Sequence, residues 1–200
     1  MPPSVSQASE RAKIMEASYR ILAASEGGTL SLAEVLSAAE LSTRAFYRHF
    51  DSKDGLLLAM FRRDADRVLA ELQSVAAAAP TAAQALSGWI AGMLRLTADP
   101  RRRQRALVLD SPEVTRAKGY RAERARYETA ENAALAQILH RGRADGSFPL
   151  ARPASDAAFV RAALHFAVNE QLSQSSAVGA DEAAQAVLDF ALRALGAESE

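Results

Sequence analysis

No stretch of this chain alternates apolar and polar residues, or gathers β-branched residues, for long enough to make a useful strand. What recurs from residue 10 to residue 195 is apolar side chains at helical spacing, broken by caps, glycines and prolines. The chain is therefore expected to be all-α, with about nine helices. Residues 1–9 hold Pro2 and Pro3 among Ser and Gln and read as a disordered arm. From Glu10, residues Ile14, Ala17, Ser18, Ile21 and Leu22 share one face of a first helix that stops at Gly27-Gly28. Ser31-Leu-Ala-Glu34 is a capping box that opens a short second helix with Val35, Leu36 and Ala39 inward. Ser42 caps a third helix and Ser52 a long fourth one, over about residues 53–78.

Beyond Pro80 every segment reads as helical. Residues 81–98 end at Asp99-Pro100, and a short segment 101–110 is basic at its start. Ser111-Pro112-Glu113 pairs a cap with proline at the first helical position, opening a long helix to about residue 144. Residues 153–175 and 181–195 supply the last two helices, joined by a turn around Gly179. The break at residues 50–55 separates a three-helix head, residues 10–55, from a larger helical body, residues 56–200.

Composition excludes more than it suggests. The absence of cysteine removes disulfides, thiolate metal sites and thiol nucleophiles. His49, His140 and His165 lie far apart, so no metal site is expected, nor any cofactor or catalytic residue. The first residues lack the apolar core of a signal peptide, and no run approaches the roughly 18 apolar residues of a membrane span. A cytoplasmic protein without membrane contact is expected. Net charge is zero over the whole chain. In the head, Arg11, Lys13, Arg20, Arg44, Arg48 and Lys53 face slightly more anions. The cations concentrate on the third helix and the start of the fourth.

The stretch from Ser31 to Leu57 carries the functional information. Two short capped helices joined by a tight turn make a helix-turn-helix, which presents its second helix to a major groove. Ala38 and Ala39 are small enough for close helix approach, and Leu41 plugs the turn. Phe46 and Phe50 anchor the third helix from behind, leaving Thr43, Arg44, Tyr47 and Arg48 outward. Arginine reads guanine O6 and N7, and Thr or Tyr can touch base edges, thymine methyls or phosphates. Ser31 and Ser42 stand at helix starts, where free amides suit a phosphate, and His49 and Lys53 offer further backbone contacts.

Ser42, Phe46, Tyr47, His49, Phe50, Lys53 and Leu56 stand at the spacing Ser-x-x-x-Phe-Tyr-x-His-Phe-x-x-Lys-x-x-Leu. Over about residues 10–57 the chain resembles the TetR family of transcriptional regulators. The resemblance implies that Thr43, Arg44, Ala45 and Tyr47 face bases and that Ser42, Tyr47, His49 and Lys53 hold phosphates. It also implies a helical effector-binding and dimerisation domain after the head, double-stranded operator DNA as partner, and release by a small, hydrophobic effector. Two positions depart from the family pattern. Glu40 stands where the turn usually has glycine, at a cost of roughly 1–2 kcal/mol if left-handed. Arg44 replaces a small residue and biases the operator toward guanine.

In the body, Trp89, Met93, Tyr120, Arg124, Tyr127, Phe166 and Asn169 are candidate pocket residues, mixing aromatic, sulfur and polar groups. The penultimate helix is apolar on most sides, so one side is expected inside its own body and the other against a second copy. Val160, Leu164, Ala167 and Gln171, with Val187, Leu188, Ala191 and Leu192 of the last helix, are the expected homodimer face. Arg101, Arg102, Arg103 and Arg105 read either as a solvated surface or as a rim facing an anion. Other readings stay open: a helical-bundle enzyme, which lacks the Glu-x-x-His pairs of di-iron bundles, a protein-binding adaptor, and an activator or effector-free repressor.

Overall fold

The computed structural model describes residues 5–25, 28–173 and 177–197. Among these there are ten helices and no strand. In chain order they are α1 (Val5–Ala24), α2 (Leu32–Ala39), α3 (Thr43–Tyr47), α4 (Lys53–Ala78) and α5 (Ala82–Ala98). Then follow α6 (Pro100–Leu109), α7 (Pro112–Thr115), α8 (Tyr120–Asp145), α9 (Pro153–Leu172) and α10 (Ala180–Leu195). α1 begins at Val5, so residues 5–9 of the expected arm are helical, while residues 1–4 lie outside the described residues, as does Gly27. No breaker lies between Val5 and Ala24, and each residue added to a formed helix gains a hydrogen bond. Ser175, placed in the penultimate helix from sequence, also lies outside the described residues.

The tenth helix comes from a break inside the long segment expected after Ser111. Gly119 has φ +98°, a left-handed conformation that ends the short α7 segment and lets α8 start afresh at Tyr120. Ser111 occupies the cap position before Pro112, but its hydroxyl makes no capping bond and is buried without a partner.

The chain divides into two compact units, residues 1–64 with 104–124, and residues 65–103 with 125–200. The first unit holds more than the head read from sequence, because residues 104–124 pack within it. Its core gathers Ile14, Met15 and Leu22 of α1, Val35 and Leu36 of α2, Phe46 and Phe50, and Leu56, Leu57 and Met60 of α4. α1 lies against both α2 and α3. A polar clasp adds to this packing. The buried Tyr19 hydroxyl donates to Asp64 Oδ2 at 2.9 Å, and the Arg105 guanidinium lies 4.1 Å from the Tyr19 ring centroid. Arg105 also bonds Glu16 at 2.7 Å, where Arg63 joins at 2.8 Å. Burial, reinforced by Asp64, pushes the Tyr19 phenol well above its ordinary range.

In the second unit α5 packs against α9 and α10, which also pack on each other. Trp89, Leu86, Ile90 and Leu94 of α5 are fully buried, as are Leu135 of α8 and Phe148. The residues expected at a dimer face lie on α9 and α10. Val160 and Leu164 of α9 and Val187 and Ala191 of α10 are at most 8 % exposed within a single chain. Ala167, Gln171, Leu188 and Leu192 are half-buried. The apolar groups left outside are Phe159 (67 % exposed) and Phe166 (69 %) of α9 and Phe190 (51 %) of α10.

The basic start of α6 is neither a free patch nor simply solvated. The amide of Arg102 donates to Asp99 Oδ1 at 2.8 Å, and its guanidinium meets Glu71 at 3.0 Å. Arg103 donates to the Leu172 carbonyl at 2.6 Å.

Glu40 shows the strain its sequence position implies, with φ 56° and ψ 42°. The turn is tight, with the Leu41 amide donating to the Leu36 carbonyl at 3.0 Å. Because Glu40 is exposed, replacing it sacrifices little packing. Glu40→Gly is expected to raise stability by about 1 kcal/mol, the relieved left-handed cost less glycine's greater unfolded entropy. Urea unfolding followed by circular dichroism checks this, and an unchanged or lowered midpoint contradicts it.

Candidate nucleic-acid interface

α3 spans only Thr43–Tyr47, too short to be stable by itself. Its start is capped by Ser42, whose Oγ accepts from the Ala45 amide at 3.2 Å. Ser31 caps α2 in the same way, accepting from the Glu34 amide at 3.4 Å, and Ser52 accepts from the Gly55 amide at 3.0 Å at the start of α4. Phe46 is fully buried, and its ring lies 5.5 Å from that of Phe50. With that side held, Thr43, Arg44, Tyr47 and Arg48 all face solvent, with Tyr47 57 % exposed. Tyr47 keeps a defined direction because it stands edge-on to Phe46, at 5.3 Å and 88°.

Ala45 does not join this face. It is 4 % exposed, on the side of α3 turned toward Phe46 and the core. Its place beside Phe46 in the helical repeat sends it inward.

Arg48, His49 and Lys53 already have carboxylate partners. Arg48 approaches Glu10 of α1 at 2.9 Å, and His49 Nε2 meets the same carboxylate at 2.9 Å. The His49 side chain is only 7 % exposed. Hydrogen bonding to His49 holds the Glu10 carboxyl below the usual carboxylate range, against the effect of burial and with the help of Arg48. Lys53 Nζ, at the start of α4, donates to Glu113 Oε1 at 2.7 Å. That oxygen also accepts from the Leu30 amide at 2.9 Å. Arg11 completes the back of the site, lying 5.2 Å from the Phe50 ring centroid. Sequence reasoning missed Glu10 and Glu113 as partners of the motif. They stand 38 residues before Arg48 and 60 after Lys53, and no local pattern signals such distant pairing.

The candidate pocket residues do not form one set. Tyr120 and Arg124 belong to the first unit, where Tyr120 packs edge-on against Phe61 at 5.2 Å. Trp89, Met93 and Tyr127 are buried in the second. Phe166 and Asn169 are exposed on α9. Trp89 is fully buried, and its indole N–H has no hydrogen-bond partner. Sequence reasoning also left out a buried pair in this unit. Glu131, fully buried, meets His165 Nε2 at 3.0 Å. Among the described residues no group of His, Asp and Glu is arranged to hold a metal ion, and no helix is long and apolar enough to cross a membrane.

Residues 14–60 match the family described as bacterial regulatory proteins, tetR family. The curated proteins include no match to the chain. Solved structures resemble nearly its whole length. The transcriptional regulator FadR from Bacillus subtilis, in complex with stearoyl-CoA, is 14 % identical with a TM-score of 0.76, covering 92 % of this chain and 98 % of that one. Reduced NemR from E. coli is 18 % identical with a TM-score of 0.75, covering 95 % and 100 %. SmeT in complex with triclosan is 18 % identical with a TM-score of 0.77, covering 92 % and 90 %. At such identities the likeness is one of fold.

The Glu113 contact makes a prediction about pH. Burial works to raise its carboxyl, but the bonds from Lys53 and the Leu30 amide outweigh it and hold the group below its ordinary value of 4.5. A depressed carboxylate contributes stability above the unfolded value and loses it as pH falls through the folded one. Glu113→Gln should therefore cost roughly 0.5–1.5 kcal/mol at neutral pH and flatten the fall in melting temperature below about pH 4.5. Thermal melts from neutral to acid pH test this, and parallel curves for the two proteins contradict it.

Proposed function

We propose that this chain, whose residues 14–60 match the family of bacterial regulatory proteins described as tetR, is a homodimeric transcriptional repressor that leaves its operator when a small hydrophobic effector binds. The observation that carries this reading is the outward set Thr43, Arg44, Tyr47 and Arg48 on a helix held from behind by Phe46 and Phe50. Residues 10–55 form the DNA-binding domain and residues 56–200 the effector-binding and dimerisation domain. The protein acts by binding, in the cytoplasm, and not by catalysis.

Two copies place two recognition helices in successive major grooves of a quasi-palindromic operator. Arg44 reads guanine, while Thr43 and Tyr47 add base-edge or methyl contacts. Phosphates lie against the starts of α2 and α3, at Ser31 and Ser42, and near Arg48, His49 and Lys53. Phe159, Phe166 and Phe190 support a dimer built on α9 and α10, since large exposed aromatics are what an interface core collects.

An effector shifts the protein between conformations only by its preference for one of them. The stearoyl-CoA of the FadR complex and the triclosan of the SmeT complex support a ligand with a large apolar part. The unpartnered indole N–H of Trp89 favours a ligand that also brings a hydrogen-bond acceptor.

Selection of bound duplexes from a random DNA pool identifies the operator for two tests. Arg44→Ala and Tyr47→Ala are each expected to weaken operator binding about tenfold or more while the proteins stay dimeric. Unchanged gel-shift affinity in both sinks the DNA-reading assignment. Phe159→Asp with Phe166→Asp is expected to yield folded monomers in sedimentation experiments, whereas an intact dimer places the interface elsewhere.

A further inference from the structure

Arg48 leaves the end of α3 with half its side chain in solvent, yet its Nη2 already meets both oxygens of Glu10, at 2.9 and 3.2 Å. The same carboxylate takes His49 Nε2 at 2.9 Å. A carboxylate presents a guanidinium with two anionic oxygens at the spacing a phosphate diester offers. Glu10 therefore occupies the electrostatic position a DNA phosphate would take. The Arg48 arm of this contact is half in solvent and by itself adds little to folding stability, so the fold does not require it, whereas the contact of the same carboxylate with His49 is part-buried.

We propose that Glu10 is an internal competitor for DNA phosphate at Arg48, setting both the affinity and the salt dependence of the head. The proposal rests on the DNA-binding reading above. When the head docks, a phosphate oxygen exchanges for a Glu10 oxygen on the guanidinium, and the displaced carboxylate remains nearby as a repelling charge. Arg48 then releases fewer counterions from DNA than a free arginine would, because its charge was already neutralised. The slightly negative balance of residues 1–55 becomes a tuned property. It weakens hold on random DNA and leaves discrimination to Arg44, which is exposed on the same helix.

Glu10→Gln separates competition from positioning. The amide can still hydrogen-bond His49 and Arg48 but carries no charge. Binding to a short random-sequence duplex is measured by fluorescence anisotropy across a sodium chloride series, with melting curves confirming the fold. Glu10→Gln is expected to bind about twofold to fivefold tighter per head, with a log–log salt slope steeper by up to about 0.9 per head. Glu10→Ala should move in the same direction. In an Arg48→Ala background Glu10→Gln should leave the slope unchanged. Unaltered affinity and slope in Glu10→Gln, or weaker binding, overturns the proposal, the latter result making Glu10 a positioning residue for His49. Failure of every variant and of the unsubstituted protein to bind any duplex at low salt overturns the DNA-binding reading itself, and this one with it.

Discussion

The recognition helix exists because Phe46 and Phe50 are buried. Five residues cannot hold a helix in water, since nucleation costs more than one turn of hydrogen bonds returns. Burying a side chain the size of phenylalanine contributes about 1.5–3 kcal/mol, which is enough to hold the turn in place against α1 and α4 residues of the same core. The Ser42 cap sets where the helix starts, and the aromatic anchor sets which side faces out. Thr43, Arg44, Tyr47 and Arg48 are outward because Ala45 and Phe46 are inward. The outward surface of α3 is the complement of the surface that packs.

Charge in this unit is organised by pairing. Glu10 takes Arg48 and His49, Glu113 takes Lys53, and Glu16 takes Arg63 and Arg105. Arg44 stands apart from these pairs in character, since it is exposed on the outward side of α3 among uncharged groups, Thr43 and Tyr47. Arg48, His49 and Lys53 thus meet carboxylates of the same unit, while Thr43, Arg44 and Tyr47 face solvent. Arg105 of α6 follows the pairing rule too. Arg105 packs its guanidinium on the Tyr19 ring within a clasp that includes Asp64 and Glu16.

Much of the fold was legible from local signals. Ser31, Ser42 and Ser52 each cap a helix where sequence placed it, and Glu40 is left-handed where its position in the turn required. A capping bond spans three residues and a turn four, so both are written in short words. The break at Gly119 was missed because glycine inside a helical pattern is ambiguous until the backbone shows a positive φ. Which face of α9 its own body buries was not readable for a related reason. That helix is apolar on most sides, so periodicity announces two buried surfaces without saying which one its own body uses. Packing against α5 and α10 decides it, drawing Val160 and Leu164 in and leaving Phe159 and Phe166 out.

By itself the sequence determined that this protein is helical, where its first helices are capped, and that a helix-turn-helix presents Thr43, Arg44 and Tyr47. Those properties follow from interactions between residues a few positions apart. Only the tertiary structure decided that Ala45 is core, that Glu10 answers Arg48 and His49, and that Glu113 joins Lys53 to the Leu30 amide. Each of those contacts joins chain segments tens of residues apart or depends on which face a neighbouring helix covers. No local spacing encodes either one, and both appear when the apolar faces have found one another.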